Sequence, residues 1–253
     1  MTEDEAVVQI CEGLLASGLR RGGTALVHSS LSSMGHVPGG AETVIVGLLE
    51  ALGTEGTLLM PALSYRYVDM ARPVFDVRKT PSNVGCIPEH FRTRQGTRRS
   101  VHPTHSVCGV GARVEDLLGE HHLDETPCGA HSPFRKLRDD GGQILFLGCG
   151  MRPNTSMHGV EELVEPPYLF GETVAYRAVL PDGQEIEGRC RRHNFSGWGQ
   201  RYDRVAPLLN DGGLRLGRVL EADVAAVDCE PMWAQALAAI RGNAFFFVER
   251  RAG

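Results

Sequence analysis

In the segment Gly148-Cys149-Gly150-Met151-Arg152-Pro153-Asn154-Thr155-Ser156-Met157-His158-Gly159-Val160-Glu161, an imidazole and a carboxylate stand three residues apart. On a helix that spacing puts both on one face. A carboxylate beside an imidazole makes a group able to take a proton near neutral pH. The same spacing also fits an ordinary surface helix, so the neighbouring elements decide between the two. Ile144-Leu145-Phe146-Leu147 reads as a buried strand, and Gly148 and Gly150 permit a tight turn after it. Asn154, Thr155 or Ser156 then supplies an N-cap for a short helix. A strand that ends in a Gly-rich turn and feeds a capped helix is a common place for a site in an α/β protein.

Three further clusters have chemical potential. His28-Ser29-Ser30-Leu31-Ser32-Ser33-Met34-Gly35 follows a predicted strand. Its small hydroxyl residues and glycine would let N–H and O–H groups converge on an anion, although a plain Ser-rich connection reads the same way. Arg98-Arg99-Ser100-Val101-His102-Pro103-Thr104-His105-Ser106 offers two histidines and two arginines, suited to a metal or a phosphate, with no Cys or Asp in the segment. Together with His158 and Glu161, those histidines would make a metal-dependent hydrolase the competing class. In the stretch from His121 to Leu137, Asp124, Thr126 and Ser132 precede prolines or turns and read as a structured loop entering a helix. The chain has no G-x-S-x-G, no G-x-x-x-x-G-K-[ST], no full G-x-G-x-x-G and no H-E-x-x-H.

The elements that must position these groups follow from periodicity. Ala6, Val7, Ile10, Cys11, Leu14 and Leu15 repeat at helical spacing up to Gly18. Thr24–Val27 is a short strand, Pro38-Gly39-Gly40 leads into a helix with Val44, Ile45, Leu48, Leu49 and Leu52 on one side, and Thr57–Met60 is the next strand. That order predicts a βαβ unit and a largely parallel sheet. Residues 61 to 104 are irregular, and a long loop of that kind is often functional. Ser106–Val110 reads as a strand and Val114–Leu118 as a helix. Val174–Leu180 and Gln184–Cys190 form a hairpin around Pro181-Asp182-Gly183. The tail carries a helix over Trp233–Ile240 and a strand over Ala244–Val248.

The 253 residues show no repeat, linker or low-complexity tract, so residues 1–253 are expected to form a single α/β domain. The net charge of −5 argues against a nucleic-acid binder. Seven scattered cysteines without a C-x-x-C fit free thiols in a reducing compartment. Met1-Thr2-Glu3-Asp4-Glu5 is unlike a signal peptide, and no apolar run is long enough to span a membrane. A soluble, cytoplasmic protein is expected.

Taken in order, Leu26-Val27-His28-Ser29-Ser30-Leu31, Arg99-Ser100-Val101-His102-Pro103-Thr104-His105-Ser106, Thr126-Pro127-Cys128-Gly129 with Ser132-Pro133-Phe134, and Asn154-Thr155-Ser156-Met157-His158 resemble the aminoglycoside N3-acetyltransferase family. The resemblance covers about residues 5 to 250. It implies the antibiotic N-acetyltransferase fold, distinct from GNAT: one three-layer domain with a mostly parallel or mixed central sheet flanked by helices. It also implies antibiotic resistance by direct transfer of acetyl from acetyl-CoA, without a metal, to the 3-amino group of a 2-deoxystreptamine aminoglycoside. The alternative is the same chemistry on a different small-molecule amine. His158 matches the family's active-site His, Glu161 the acid that orients it, and His28 is a candidate third member. Ser29, Ser30, Leu31, Ser32, Ser33, Met34 and Gly35 resemble the CoA-binding segment, whose N–H groups are candidates for the oxyanion site, and Ser106 would line the thioester end. Asp76, Glu162 and Asp203 are candidate contacts for a polycationic sugar. The implied partner is a small molecule, with neither nucleic acid nor membrane, and the assembly a monomer or homodimer. Gly159-Val160 departs from the pattern, which has a bulkier residue and then Ala.

Overall fold

A computed structural model describes residues 1–209 and 212–251. Helix α1 (Glu3–Ala16) opens on a capping box, in which Thr2 Oγ1 accepts from Glu5 N–H and the Glu5 carboxylate accepts from Thr2 N–H. Strand β1 (Thr24–Ser29) runs into a 3-10 turn (Leu31–Met34), helix α2 (Ala41–Leu52) and strand β2 (Thr57–Pro61). Helices α1 and α2 pack closely because Gly47 has no side chain; a Cβ there would lie 2.6 Å from Ile10 Cγ2.

The segment read as irregular contains strand β3 (Val74–Asp76), helix α3 (Cys86–Thr93) and the two-residue strand β4 (Arg98–Arg99). Next come β5 (Val107–Gly111), α4 (Val114–Leu118) and α5 (Pro133–Asp139), which Ser132 caps through Arg135 N–H. Strand β6 (Gln143–Leu147) feeds α6 (Met157–Glu162). The chain continues through β7 (Phe170–Val179), β8 (Glu185–His193), β9 (Trp198–Gln200) and a 3-10 segment (Tyr202–Leu208). It finishes with β10 (Leu214–Val219), β11 (Ala222–Asp228), α7 (Cys229–Gly242) and β12 (Val248–Arg250).

The main sheet has the order β10-β11-β6-β1-β2-β5-β4. Strands β6 and β2 both pair parallel to β1, as the βαβ reading requires, and every other pairing in the sheet is antiparallel. The sheet is therefore mixed, with its parallel pairings at the centre. Its central strands are apolar on both faces. Ala25, Val27, Leu145 and Leu147 face a core shared with α1, α2 and α3, while Leu26, Ile144 and Phe146 face one shared with α5, α6 and α7. Helices on both faces make three layers.

Two smaller sheets flank this body. In the first, β7 and β8 form the hairpin around Pro181–Gly183 and β3 pairs parallel with β7. In the second, β12 pairs antiparallel with β9. The strand expected over Ala244–Val248 is displaced. Asn243 Oδ1 accepts from Phe245 N–H and holds residues 244 to 247 in a turn, so pairing starts only at Val248. Among the described residues, no helix is long and apolar enough to cross a membrane.

Candidate active site

The β6–α6 turn leads into the helix that carries His158 and Glu161. Gly148 and Gly150 have φ of 72° and 62°, a left-handed backbone that suits glycine. Gly148 also lets the β1–α2 turn approach, since a Cβ there would lie 2.8 Å from Ser33 Cβ. All six residues of α6 are buried. Ser156 occupies the cap position, but its hydroxyl accepts from Trp233 Nε1 at 2.8 Å and leaves the helix N–H groups alone. The Trp233 indole lies over Gly159, where an added Cβ would fall 2.2 Å from Cη2. This contact with α7 explains the glycine that departs from the family pattern.

His158 and Glu161 share one face of α6, and Tyr202 ties them together. Glu161 is fully buried, accepting from Tyr168 Oη at 2.8 Å on one oxygen and from Tyr202 Oη at 2.7 Å on the other. His158 Nδ1 lies 2.9 Å from Tyr202 Oη and 3.3 Å from Glu161 Oε2. Because the Tyr202 proton goes to the carboxylate, the hydroxyl oxygen is left to accept, and the network puts the His158 proton on Nδ1. Burial and the Glu161 charge push the Tyr202 phenol well above its ordinary pKa, so it remains a donor. Nε2 of His158 keeps its lone pair and has no hydrogen-bond partner among the described residues.

The next residue of α6 builds a second imidazole–carboxylate pair. Glu162 accepts from Thr126 Oγ1 at 2.6 Å, Cys128 N at 2.8 Å and His193 Nε2 at 2.8 Å. Burial raises its carboxyl to about 7 against the pull of Thr126, Cys128 N–H and Arg135. The His193 ring centroid lies 4.9 Å from that of His158, and His105 lies 5.6 Å from His158 and 5.1 Å from His193. Burial, and then their neighbouring imidazoles, holds His105 and His193 well below the ordinary histidine pKa, so both are neutral. His102 is also buried, accepting on Nδ1 from Thr104 and His105 N–H, which makes it a bracket for this loop.

A cavity of about 1140 Å³ opens over His105, His158 and His193. Tyr65, the β6–α6 turn, the end of β8 and strand β12 form its walls. Arg152, Arg192, Arg250 and Arg251 line it against one acid, Glu249, among the described residues.

The other residues singled out from the sequence lie off this wall. His28 is buried on strand β1 beside its ladder partner Phe146 on β6, with ring centroids 5.2 Å apart, and bonds to neither His158 nor Glu161. Burial, followed by His158, lowers it to about 3. Ser30, Ser32 and Ser33 bond to one another on the exposed turn, Leu31 is half-buried, Met34 is in the core and the Ser29 hydroxyl is buried without a partner. Gly35, at φ 75°, packs against the Glu221 carboxylate. The Ser106 hydroxyl is fully buried and spent on Ala62 O and Arg99. Asp76 caps the turn at Arg78 and Lys79, Glu162 is sealed beneath the histidines, and Asp203 pairs with Arg201. Tyr168, Tyr202 and His193 carried no signal in the sequence because each reaches the site from a different element.

A family model described as aminoglycoside 3-N-acetyltransferase matches residues 26–241. The chain is 33% identical over 232 residues to aminoglycoside N(3)-acetyltransferase VII of Streptomyces paromomycinus, covering 85% of this chain and 80% of that one. It is 35% identical over 254 residues to the SPbeta prophage-derived aminoglycoside N(3')-acetyltransferase-like protein YokD of Bacillus subtilis, covering 88% and 90%. The solved structure of AAC-IIIb with CoASH superposes with a TM-score of 0.81 at 26% identity, covering 94% of this chain and 96% of that one.

Proposed function

The chain belongs to the aminoglycoside 3-N-acetyltransferase family, and from that premise we propose that it transfers acetyl from acetyl-CoA to the 3-amino group of a 2-deoxystreptamine aminoglycoside. The observation that carries this reading is the unbonded Nε2 of His158 on the cavity, with Nδ1 anchored by Tyr202 and Glu161. In the reaction the amine nitrogen attacks the thioester carbonyl and its proton passes to His158 Nε2. The C–S bond then breaks, sulfur takes the bonding pair, and the imidazolium returns the proton to the thiolate. A thioester needs no enzyme nucleophile, so the protein's task is to deliver a neutral amine in line with the carbonyl.

The turn from Ser29 to Gly35 is our candidate for the donor side, supported by its close approach to the β6–α6 turn at Gly148. Its N–H groups are the candidates for the oxyanion site. The arginines of the cavity suit the phosphates of CoA. Seven free cysteines and dependence on acetyl-CoA fit the cytoplasm. On the acceptor side, Glu249 is the carboxylate we assign to a substrate ammonium.

A second reading keeps the donor and the base but gives the enzyme an acceptor that is not polycationic. The single acid on the cavity wall among the described residues favours it. Thiol release from acetyl-CoA, measured with gentamicin-, kanamycin- and apramycin-like acceptors, separates the two. Turnover with any of them supports the first reading, and turnover only with other amines supports the second. His158→Ala abolishes thiol release with folding intact, and normal turnover in that variant would remove the base from its role.

A further inference from the structure

His105, His158 and His193 each have one ring nitrogen held from behind. Thr104 Oγ1 holds His105 Nδ1 at 2.9 Å, Tyr202 Oη holds His158 Nδ1 at 2.9 Å, and Glu162 Oε1 holds His193 Nε2 at 2.8 Å. The opposite nitrogen of each ring has no hydrogen-bond partner among the described residues. A nitrogen of each ring lies within 4.8 Å of a nitrogen of the other two. The His193 side chain is 4% exposed and its Nδ1 is buried without a partner, an unfavourable state for a polar atom.

We propose that these three imidazoles form a binding site for one divalent transition-metal ion of the zinc class. Imidazole donors select zinc, cobalt, nickel or copper over magnesium and calcium, which prefer oxygen. Backing each ligating histidine with a carboxylate or hydroxyl is the outer-shell arrangement that fixes metal ligands in place. Zinc–nitrogen bonds of about 2.0–2.1 Å bring tetrahedral ligand atoms to roughly 3.3 Å apart, so the rings close on the ion by about an ångström. All three rings line the cavity, which leaves a fourth position open to water or a thiol. The ion is an inhibitor in this setting, because coordination through His158 Nε2 occupies the lone pair that the amine proton needs.

Cobalt(II) titration of the chelator-treated full chain tests the site without depending on turnover. The expected result is one equivalent bound, with visible d–d bands of a low-coordinate nitrogen site. His193→Ala and His105→Ala each weaken binding at least tenfold, and Glu162→Gln, which touches only the outer shell, weakens it about 10–100-fold. His36→Ala, on the exposed surface, leaves binding unchanged. Absence of a stoichiometric site, or binding that survives His193→Ala, overturns the proposal. A measurement on the unmodified chain guards against variants that fail to fold. Zinc at one equivalent protects His158 from carbethoxylation by diethyl pyrocarbonate, read by mass spectrometry, and lack of protection equally overturns it.

Discussion

Replacing Tyr202 with phenylalanine removes one oxygen atom and breaks the link between His158 and Glu161. Tyr202 Oη donates to Glu161 Oε2 at 2.7 Å and accepts from His158 Nδ1 at 2.9 Å, whereas the direct His158–Glu161 contact is 3.3 Å. Glu161 is fully buried, so water does not refill the vacated position. Losing a hydrogen bond to a buried charge costs about 1.5–3 kcal/mol. Part of that cost appears as lost stability, measurable by denaturant titration at neutral pH. The rest appears in the rate, because the Nδ1 proton is then held only by the longer contact and the productive tautomer is less well fixed. At about 1.4 kcal/mol per tenfold, half of that cost in the rate lowers kcat about 3–10-fold, and KM for acetyl-CoA changes little. Steady-state thiol release on matched preparations gives both numbers. Adding Tyr202→Phe to Glu161→Gln costs much less than the sum of the two, since both act through the same imidazole. A folded Tyr202→Phe enzyme within twofold of the parent would refute the relay, and so would full additivity.

Gly159→Ala drives a methyl group into the Trp233 indole, which is 2% exposed and tethered to Ser156, so the helix must shift. The variant is destabilised by about 1–3 kcal/mol and loses activity with it, and a melting temperature at or above the parent's would contradict this packing. Acid destabilises the fold through its buried histidines. Burial lowers His28 and His121 to about 3 from 6.5, so the unfolded chain binds extra protons between those values and stability is lost as pH falls through that window. From pH 7.5 to 5 each contributes a loss of about 2 kcal/mol, while Glu162, raised to about 7, works the other way and returns about 2 kcal/mol. His102, His105 and His193 add to the loss, so denaturant midpoints at pH 5 lie below those at pH 7.5, and equal midpoints would refute the sign.

Short-range pattern made much of this molecule legible. The β1–α2–β2 unit, the Pro181–Gly183 hairpin and the strand–turn–helix that carries His158 all depend on neighbours in the chain, and periodicity reports such neighbours. The β10–β11 hairpin escaped because Leu214 to Val219 interleaves arginines and a glycine with its apolar residues, and its pairing partner is the central strand β6, far back in the chain. The site divides in the same way. His158 and Glu161 declare themselves by spacing, but Tyr202 reaches them from 41 positions past Glu161 and His193 reaches Glu162 from 31. Residue type alone does not show what a carboxylate is engaged with: Asp76 bonds within a turn, Glu162 in a buried network and Asp203 with an arginine, none of which is visible in the sequence.

Adjacent glutamates on α6 serve different imidazoles, one through Tyr202 and the other directly. Consecutive helical positions are about 100° apart, so inserting one residue in the β6–α6 connection would move Glu161 into the place of Glu162 and Val160 into the place of Glu161, while deleting one would move Glu162 into the place of Glu161 and Leu163 into the place of Glu162. Insertions or deletions there would do more than displace the base. They would also put an apolar side chain, Val160 or Leu163, in one of the two carboxylate places. Loop-length variation, the freest route by which a fold diversifies, is therefore closed at the connection that leads to His158. It remains open at the Pro181–Gly183 tip of the β7–β8 hairpin, where an added Cβ on Gly183 meets nothing within 4 Å.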